Sequence, residues 1–289
     1  MQNEGIPVFA RSPRRWVAFI MPAFLSTLAG CSSVDTAAPG RAASSTAVQS
    51  SSAAPAPGPS STSLSSAPPR VGVDALSPAV RGKTVLVVGD SWAGYFGDGM
   101  SKVASEKNVI VNAGLGGCGI MLPDWIAGKK PPQACLEWPV KWPEYMNKYQ
   151  PDAVLLRTGN WDVVPQEFDG KGVELTIEHP LFRQRFERNM DLAINILTKN
   201  GTPVYLTNMV NAKGGWNKLT KTMNREVQEI AEKHKDKGVH LLDLNAELCN
   251  ANGCPETLQG HALYDETHHP ADWSRDRLSK WILNSMFTR

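Results

Sequence analysis

The feature that most constrains the fold is a series of short, strongly apolar segments separated by longer amphipathic ones. The first, Thr84–Gly89, is a continuous run rich in β-branched residues, which is typical of strands buried on both faces. Comparable runs recur along the chain at 109–112, 153–157, 203–207 and 239–243. Helical patterns lie between them near 94–107, 139–149, 180–199 and 218–235, and a last one covers about 270–286.

Strands that alternate with helices form right-handed crossovers and a parallel sheet covered on both sides. We therefore expect an α/β domain with about five strands in the flavodoxin-like order 2-1-3-4-5. In such a sheet, ligands bind outside the carboxyl ends of the strands, so chemistry-bearing residues should follow the strand ends.

A serine stands where the first strand meets the first helix. Gly89-Asp90-Ser91 places a hydroxyl at the strand-to-helix turn, beside the N-terminal amides of the helix. The same position suits a helix cap, because Ser and Asp side chains accept hydrogen bonds from the first helical amides. Taken alone, the segment fits a cap as well as a nucleophile.

A second segment supplies the groups that a serine nucleophile needs. Asp265-Glu266-Thr267-His268 follows the fifth strand and precedes the last helix, so one loop can present a carboxylate and an imidazole. A serine hydroxyl is hardly ionised at neutral pH and requires a base. We predict that His268 accepts the proton of Ser91 and returns it to the leaving alcohol, while Asp265 fixes the imidazole tautomer.

These segments resemble blocks I and V of the SGNH (GDSL-like) hydrolase superfamily. Gly89-Asp90-Ser91 corresponds to block I and Asp265-x-x-His268 to block V, in the same order. The resemblance covers about residues 83–289. It implies a flavodoxin-like three-layer sandwich, catalysis without a metal or another cofactor, and ester substrates.

The resemblance also implies an oxyanion hole. The segment 112–117 corresponds to block II, with Gly117 as the best match and Gly116 nearly as good. The expected donors are therefore the amides of Ser91 and Gly117, together with the asparagine of block III, Asn160. Removal of one such donor costs on the order of a hundredfold in rate or more.

Block III departs from the family pattern Gly-x-Asn-Asp. The chain reads Thr158-Gly159-Asn160-Trp161-Asp162, so the asparagine comes one place early. Either Asn160 reaches the oxyanion through a shifted turn, or the backbone amides act with less side-chain help. The Trp-Asp pair resembles the SGNH domains fused to or partnered with membrane acyltransferases that O-acylate bacterial surface glycans.

The N-terminus resembles a bacterial lipoprotein signal. Arg11, Arg14 and Arg15 precede an apolar run at 16–28, which is shorter than the roughly 20 residues that span a bilayer. The run ends in Leu28-Ala29-Gly30-Cys31, which resembles the lipobox. We expect cleavage before Cys31 and fatty acylation of its thiol, with an ordinary secretory signal as the alternative.

Composition divides the chain into three parts. Residues 32–78 are mostly Ser, Ala, Pro, Thr and Gly, with too few large apolar residues to offset the entropy of ordering. We predict a signal peptide at 1–30, a lipidated cysteine and disordered stalk at 31–80, and an SGNH hydrolase-like domain at 81–289. The location that follows is extracytoplasmic, lipid-anchored to the outer face of the bacterial cell membrane.

Four cysteines remain beside Cys31 and allow three pairings. Proximity in sequence favours Cys118 with Cys135 and Cys249 with Cys254. The first bond would clamp the long loop after the second strand, and the second would close the turn before the Asp-His loop. Four unpaired thiols are the alternative, which an oxidising exterior disfavours.

Other features narrow the choice of ligand. A net charge of +2 with scattered Lys and Arg gives no nucleic-acid footprint. His261, Asp265, His268 and His269 are of residue types that bind zinc. No pair of histidines spaced for one face of a helix occurs among them, so no metal is predicted. Flat indole rings suit sugars, although tryptophans more often fill space beneath loops. Trp92 and Trp161 are the two that we expect to line the site.

The sequence therefore predicts a serine esterase or O-acyltransferase that acts on short O-acyl groups of a cell-envelope glycan or glycolipid. The chemistry would run through an acyl-enzyme on Ser91, and a membrane acyltransferase is a candidate partner. The choice between hydrolysis and transfer stays open. Alternatives are a non-catalytic envelope module that uses the same scaffold to bind glycan, and a lipase or esterase acting on lipids.

Overall fold

The fold is built on a parallel sheet of five strands, in a computed structural model that describes residues 70–210 and 217–288. The strands are β1 (Thr84–Gly89), β2 (Val109–Gly114), β3 (Ala153–Arg157), β4 (Val204–Thr207) and β5 (Val239–Leu242). Their order in the sheet is β2-β1-β3-β4-β5, and every neighbouring pair is parallel. The flavodoxin-like order expected from the sequence is confirmed.

Four helices connect the successive strands, two more follow the last strand, and helices cover both faces of the sheet. They are α1 (Ser91–Val103), α2 (Trp138–Tyr149), α3 (Pro180–Leu197), α4 (Asn217–Lys233), the short α5 (Leu244–Leu248) and α6 (Asp272–Phe287). Five of them match the helical patterns in the sequence. The short α5 was not predicted.

Strand β1 shows why two separate cores form. Its side chains alternate, so that Val85 and Val87 pack against α1 and α6, whereas Leu86 and Val88 pack against α2, α3 and α4. All four are fully buried, as expected for a central strand of a sheet covered on both sides. The architecture is therefore the three-layer sandwich that the sequence predicts.

The packed domain begins before the predicted boundary at residue 81. Val71 and Val80 are each only 2% exposed and belong to the core on the α1 and α6 face. Residues 70–77 run along α6, where Arg277 Nε donates to the carbonyl of Val71 and Asn284 Nδ2 donates to that of Ala75. The predicted stalk therefore ends earlier than residue 80.

The signal peptide and the lipidated Cys31 lie outside the described residues. Among the residues that are described, no helix has both the length and the apolar character needed to cross a membrane.

The loops at the carboxyl ends of the strands contain structure that the sequence did not reveal. Short strands at Trp125–Ile126, Gln166–Glu167 and Glu174–Leu175 pair into a small antiparallel sheet. The two expected disulfides are confirmed, Cys118 with Cys135 and Cys249 with Cys254. The first therefore fixes the loop that follows β2.

Candidate active site

Ser91 is the first residue of α1, at the carboxyl end of the central strand β1. The turn needs glycine at position 89, because φ is +129° there and a Cβ would collide with the carbonyl oxygen of Arg157 on the neighbouring strand. Asp90 caps the helix, and its Oδ1 accepts hydrogen bonds from the amides of Trp92 (3.0 Å) and Ala93 (3.3 Å). Because Asp90 fills the capping role, the Ser91 hydroxyl remains available for chemistry.

The imidazole that meets Ser91 belongs to His269. Its Nε2 lies 2.7 Å from Ser91 Oγ. The prediction of His268 as the base is wrong: His268 is exposed, and its backbone is in the left-handed region with φ of +60°. That conformation closes a turn in which the amide of His268 donates to the carbonyl of Asp265. The turn leaves His268 in solvent and brings its neighbour to the serine.

Asp265, the predicted third member of the triad, organises this turn directly but reaches the imidazole ring only through Thr267. Its Oδ1 accepts hydrogen bonds from the amides of Thr267 (2.8 Å) and His269 (3.0 Å) and from the Thr267 hydroxyl (2.7 Å). The Thr267 hydroxyl in turn lies 2.7 Å from Nδ1 of His269. The hydrogen-bonded groups therefore run in the order Ser91, His269, Thr267 and Asp265.

Tyr95, which lies on α1, contacts both His269 and Asp265. Its ring stacks on the His269 ring with centroids 4.4 Å apart and planes within 6° of parallel. Its hydroxyl donates to Asp265 Oδ2 at 3.2 Å. Helix α1 therefore carries both Ser91 and a residue that contacts the His269 ring and Asp265.

The surroundings favour a neutral imidazole that can act as a base. Burial lowers the pKa of His269, against the opposing effect of the Asp265 and Asp90 charges. At Asp265, partial burial raises the pKa, but the hydrogen bonds from Thr267, His269 and Tyr95 outweigh it and the net pKa is lowered. Asp265 is thus held as a carboxylate, and His269 is free to accept a proton.

The predicted oxyanion side contains one clear neighbour of the serine. A Cβ built on Gly116 would lie 3.9 Å from Ser91 Cβ, whereas around Gly117, with φ of +80°, there is open space within 4 Å. Asn160 is exposed and begins a 3-10 helix, Asn160–Asp162. Roles for Gly117 and Asn160 in the oxyanion hole stay predictions, and the proximity of Gly116 to Ser91 keeps it as a candidate beside Gly117.

Beneath this side lie three buried charged residues. Asp90, Arg157 and Asp162 are at most 2% exposed. Asp162 Oδ1 accepts from the amides of Ile120 (2.6 Å) and Met121 (3.3 Å), and its Oδ2 accepts from the amide of Gly159 (3.0 Å). One carboxylate therefore joins the loop after β2 to the turn after β3.

Burial sets the charge balance of these three residues. It raises the pKa of Asp162 to about 6, although the three backbone amides act in the opposite direction. It also raises the pKa of Asp90 against the attraction of Arg157, and it lowers the pKa of Arg157 against the attraction of both carboxylates. The ionised carboxylates are thus held at a cost in free energy.

The two tryptophans that were expected to line the site differ in their exposure to solvent. Trp92 is only 6% exposed and packs against Phe96 and Tyr264, with the Arg157 guanidinium 5.5 Å from its ring centroid. The prediction for Trp92 is wrong, because its ring points into the core and cannot meet a substrate. Trp161 is partly exposed beside Asn160, and its role as a lining residue stays a prediction.

Sequence reasoning missed several residues that the structure brings together. His269 follows His268 directly, and only the family spacing favoured the first of the two imidazoles. An arginine closing the apolar run 153–157 was a usable signal for Arg157, since a charge at the end of a buried strand needs a reason. Tyr95 and Thr267 carried no comparable signal.

In the described ranges 70–210 and 217–288, no three His, Cys, Asp or Glu side chains are grouped to hold a metal.

Comparisons with solved structures give matches at low identity and with TM-scores below 0.5. A G-D-S-L family lipolytic protein from Desulfitobacterium hafniense is 15% identical, covering 70% of this chain and 98% of its own, with a TM-score of 0.43. The lipopolysaccharide acetyltransferase periplasmic domain of Salmonella Paratyphi A is 15% identical (71% and 83% covered, TM-score 0.45). The acetylxylan esterase Axe2 of Geobacillus stearothermophilus is also 15% identical (71% and 94% covered, TM-score 0.45).

No curated protein sequence gives a significant match. A family model does: the one described as "SGNH domain (fused to AT3 domains)" matches residues 61–280, which is most of the chain. The matched range includes the serine at the end of β1 and the loop that carries Asp265 and His269. The chain therefore belongs to this SGNH family, one of ester hydrolases and acyltransferases.

Proposed function

We propose that this protein is a serine-dependent esterase or O-acyltransferase that acts on short O-acyl groups of a cell-envelope glycan or glycolipid. The observation that carries the proposal is the 2.7 Å contact between Ser91 Oγ and His269 Nε2 at the first turn of α1. A hydroxyl in contact with a neutral imidazole at a helix N-terminus is the arrangement that nucleophilic acyl transfer requires.

The reaction follows from these positions. His269 Nε2 takes the hydroxyl proton as Ser91 Oγ attacks the ester carbonyl. The Ser91 amide then stabilises the charge on the oxygen, with the amide of Gly117 or Gly116 as the expected second donor. The imidazolium then gives its proton to the leaving alcohol, which leaves the acyl group on Ser91. Water or a second hydroxyl, activated by the same imidazole, resolves the acyl-enzyme.

The substrate class is supported by the family and by the N-terminal pattern. The Trp161-Asp162 variant of block III resembles SGNH domains that work with membrane acyltransferases on bacterial surface glycans, and the matching model describes domains fused to AT3 domains. A lipidated Cys31 would hold the enzyme at the outer face of the membrane, next to such a glycan and to a membrane acyltransferase partner. Exclusion of water and positioning of the acceptor decide between hydrolysis and transfer.

The first experiment measures p-nitrophenyl acetate turnover by the full chain, purified in detergent. Ser91→Ala should abolish turnover above background. Ser101→Ala is the matched control, because that exposed serine lies on the same helix and its hydroxyl donates to the carbonyl of Gly97. Equal rates for wild type and Ser91→Ala would overturn the proposal and leave a non-catalytic, glycan-binding module.

The second experiment identifies the substrate class. Envelope glycans from cells with the wild-type gene, without it, and with the Ser91→Ala gene are compared by mass spectrometry. We expect the acyl content of a glycan to change in the last two strains alike, with acyl groups gained if the enzyme hydrolyses and lost if it transfers. An unchanged glycan with altered lipid acylation would instead favour a lipid substrate.

A further inference from the structure

We propose that the Thr267 hydroxyl is a positioning residue that links Asp265 to His269 and sets which nitrogen of the imidazole carries the proton. The inference rests on the proposed function, because it assigns a role within the same reaction. It differs from a simple serine triad in that the carboxylate acts through a hydroxyl rather than directly on the ring.

The geometry places Thr267 between the two groups. Its Oγ1 lies 2.7 Å from Asp265 Oδ1 on one side and 2.7 Å from His269 Nδ1 on the other. On the far edge of the ring, Nε2 meets Ser91 Oγ at 2.7 Å. Three short contacts therefore run in series from the carboxylate to the nucleophile.

The donors and acceptors in this series can be assigned from chemistry. An ionised carboxylate only accepts hydrogen bonds, so the single hydroxyl proton of Thr267 is donated to Asp265. The Thr267 oxygen then has only lone pairs to offer, so Nδ1 must be the nitrogen that carries the hydrogen. Nε2 is left as the acceptor, which is the tautomer needed to take the proton of Ser91.

The oxygen of Asp265 that bonds Thr267 has no capacity left for a direct bond to the ring. Asp265 Oδ1 already accepts from two backbone amides and the Thr267 hydroxyl, and its Oδ2 accepts from Tyr95. A carboxylate oxygen has about two lone-pair sites, so Oδ1 is saturated. The stacked Tyr95 ring also restricts tilting of the imidazole towards the carboxylate.

The proton balance of the reaction is unchanged by this link. The proton of Ser91 moves to Nε2 while the bond from Oγ to the acyl carbon forms, and it later leaves with the alcohol as the ester bond breaks. The hydrogens on Nδ1 and on Thr267 stay where they are. The hydroxyl dipole stabilises the imidazolium, and the carboxylate orients that dipole.

Two substitutions of Thr267 separate the hydroxyl from the shape of the side chain. Thr267→Val removes the hydroxyl and keeps the branched shape, whereas Thr267→Ser keeps the hydroxyl. We expect kcat for p-nitrophenyl acetate to fall roughly tenfold to a hundredfold in the valine variant, as for the loss of a hydrogen bond to a charged group. The serine variant should stay within about threefold of wild type.

A spectroscopic readout tests the tautomer itself. In nitrogen-15 spectra of the His269 ring at neutral pH, the wild type and Thr267→Ser should carry hydrogen on Nδ1, and Thr267→Val should shift towards hydrogen on Nε2. Thr257→Val is the matched control, since Thr257 is exposed in the short strand Thr257–Leu258, which pairs with His261–Ala262. It should change neither the rate nor the tautomer.

The outcomes distinguish this inference from the proposed function. If Ser91→Ala is inactive while Thr267→Val keeps the wild-type rate and tautomer, the Thr267 link is overturned and the proposed function stands. If Ser91→Ala is as active as wild type, the proposed function itself fails. Equal losses in Thr267→Val and Thr267→Ser with an unchanged tautomer would also overturn the link, because they would indicate a purely structural role.

Discussion

The two sides of the site are held in different ways. On the oxyanion side, buried Asp162 ties the loop after β2 to the turn after β3, and the Cys118–Cys135 disulfide closes that loop on itself. On the base side, the loop from Asp265 to His269 is partly or fully exposed and is ordered by hydrogen bonds within its own turn and by Tyr95. Substitutions on the first side should therefore affect stability most, and substitutions on the second should affect rate most.

The largest effect is expected for Asp265→Ala. The variant should lose about a thousandfold in kcat/KM, or about 4 kcal/mol of transition-state stabilisation, because the turn that presents His269 loses its acceptor. The free energy of unfolding should change by no more than about 1 kcal/mol, because the loop is exposed. Urea unfolding and ester turnover check this, with the exposed Asp272→Ala as control. A large loss of stability would contradict the claim that substitutions on the base side affect the rate more than the stability.

The next largest effect is on stability: Asp162 should make the free energy of unfolding depend on pH. Its pKa is raised from 3.8 to about 6 in the fold, so between those values the unfolded chain ionises first and the free energy of unfolding falls as pH rises. A shift of this size corresponds to about 3 kcal/mol, present below pH 4 and lost above pH 6.

Asp162→Asn removes the ionisation, and its amide oxygen can still accept from Ile120 and Met121. The lost acceptor for the Gly159 amide lowers the free energy of unfolding at every pH, so the slope with pH isolates the contribution of ionisation. Urea unfolding at a series of pH values should give a wild-type curve that falls more steeply between pH 4 and 6 than that of the variant. Burial raises the pKa of Asp90 too, but that residue is common to both proteins. Parallel curves for the two proteins would show that the pKa of Asp162 is not raised by folding.

The two disulfides offer a graded test, with expected losses of stability no larger than the contribution of Asp162. They close loops with sequence separations of 17 and 5 residues. By loop-closure entropy, replacing both cysteines of the first pair with alanine should cost about 3 kcal/mol, against about 2 kcal/mol for the second. Thermal unfolding of both double variants measures the difference, and a larger loss from the second pair would contradict the ranking.

The smallest effect is expected for Tyr95→Phe. The ring that stacks on His269 is kept, and only the 3.2 Å hydrogen bond to Asp265 is removed. We expect kcat to fall about threefold, since the bond is long and Asp265 keeps its other donors. Tyr145→Phe, on the α2 side of the domain, serves as control. A loss as large as that of Asp265→Ala would mean that Tyr95 has a direct part in the reaction.

The contrast between the two sides also explains what the sequence could predict. The five strands, their order and the position of Ser91 follow from apolar patterning and from the geometry of a parallel sheet, so they were predicted correctly. Both disulfides followed from proximity. These features depend on local sequence and on rules that hold across folds.

The base was misassigned because its position depends on one backbone conformation. A left-handed residue at 268 exchanges the directions of two adjacent histidines, and no pattern in the sequence marks that residue. Trp92 was misassigned for a related reason. It lies next to the nucleophile in sequence, but the first turn of a helix points successive side chains in different directions, and this one enters the core.

The most direct test of the account compares His269→Gln with His268→Gln in the full chain. The two residues are adjacent, so the same substitution in each gives a matched pair for ester turnover and for thermal stability. We expect His269→Gln to lose about a thousandfold in kcat/KM or more and His268→Gln to stay within about threefold of wild type. The opposite pattern, or full activity in both variants, would contradict the assignment of His269 as the base for Ser91.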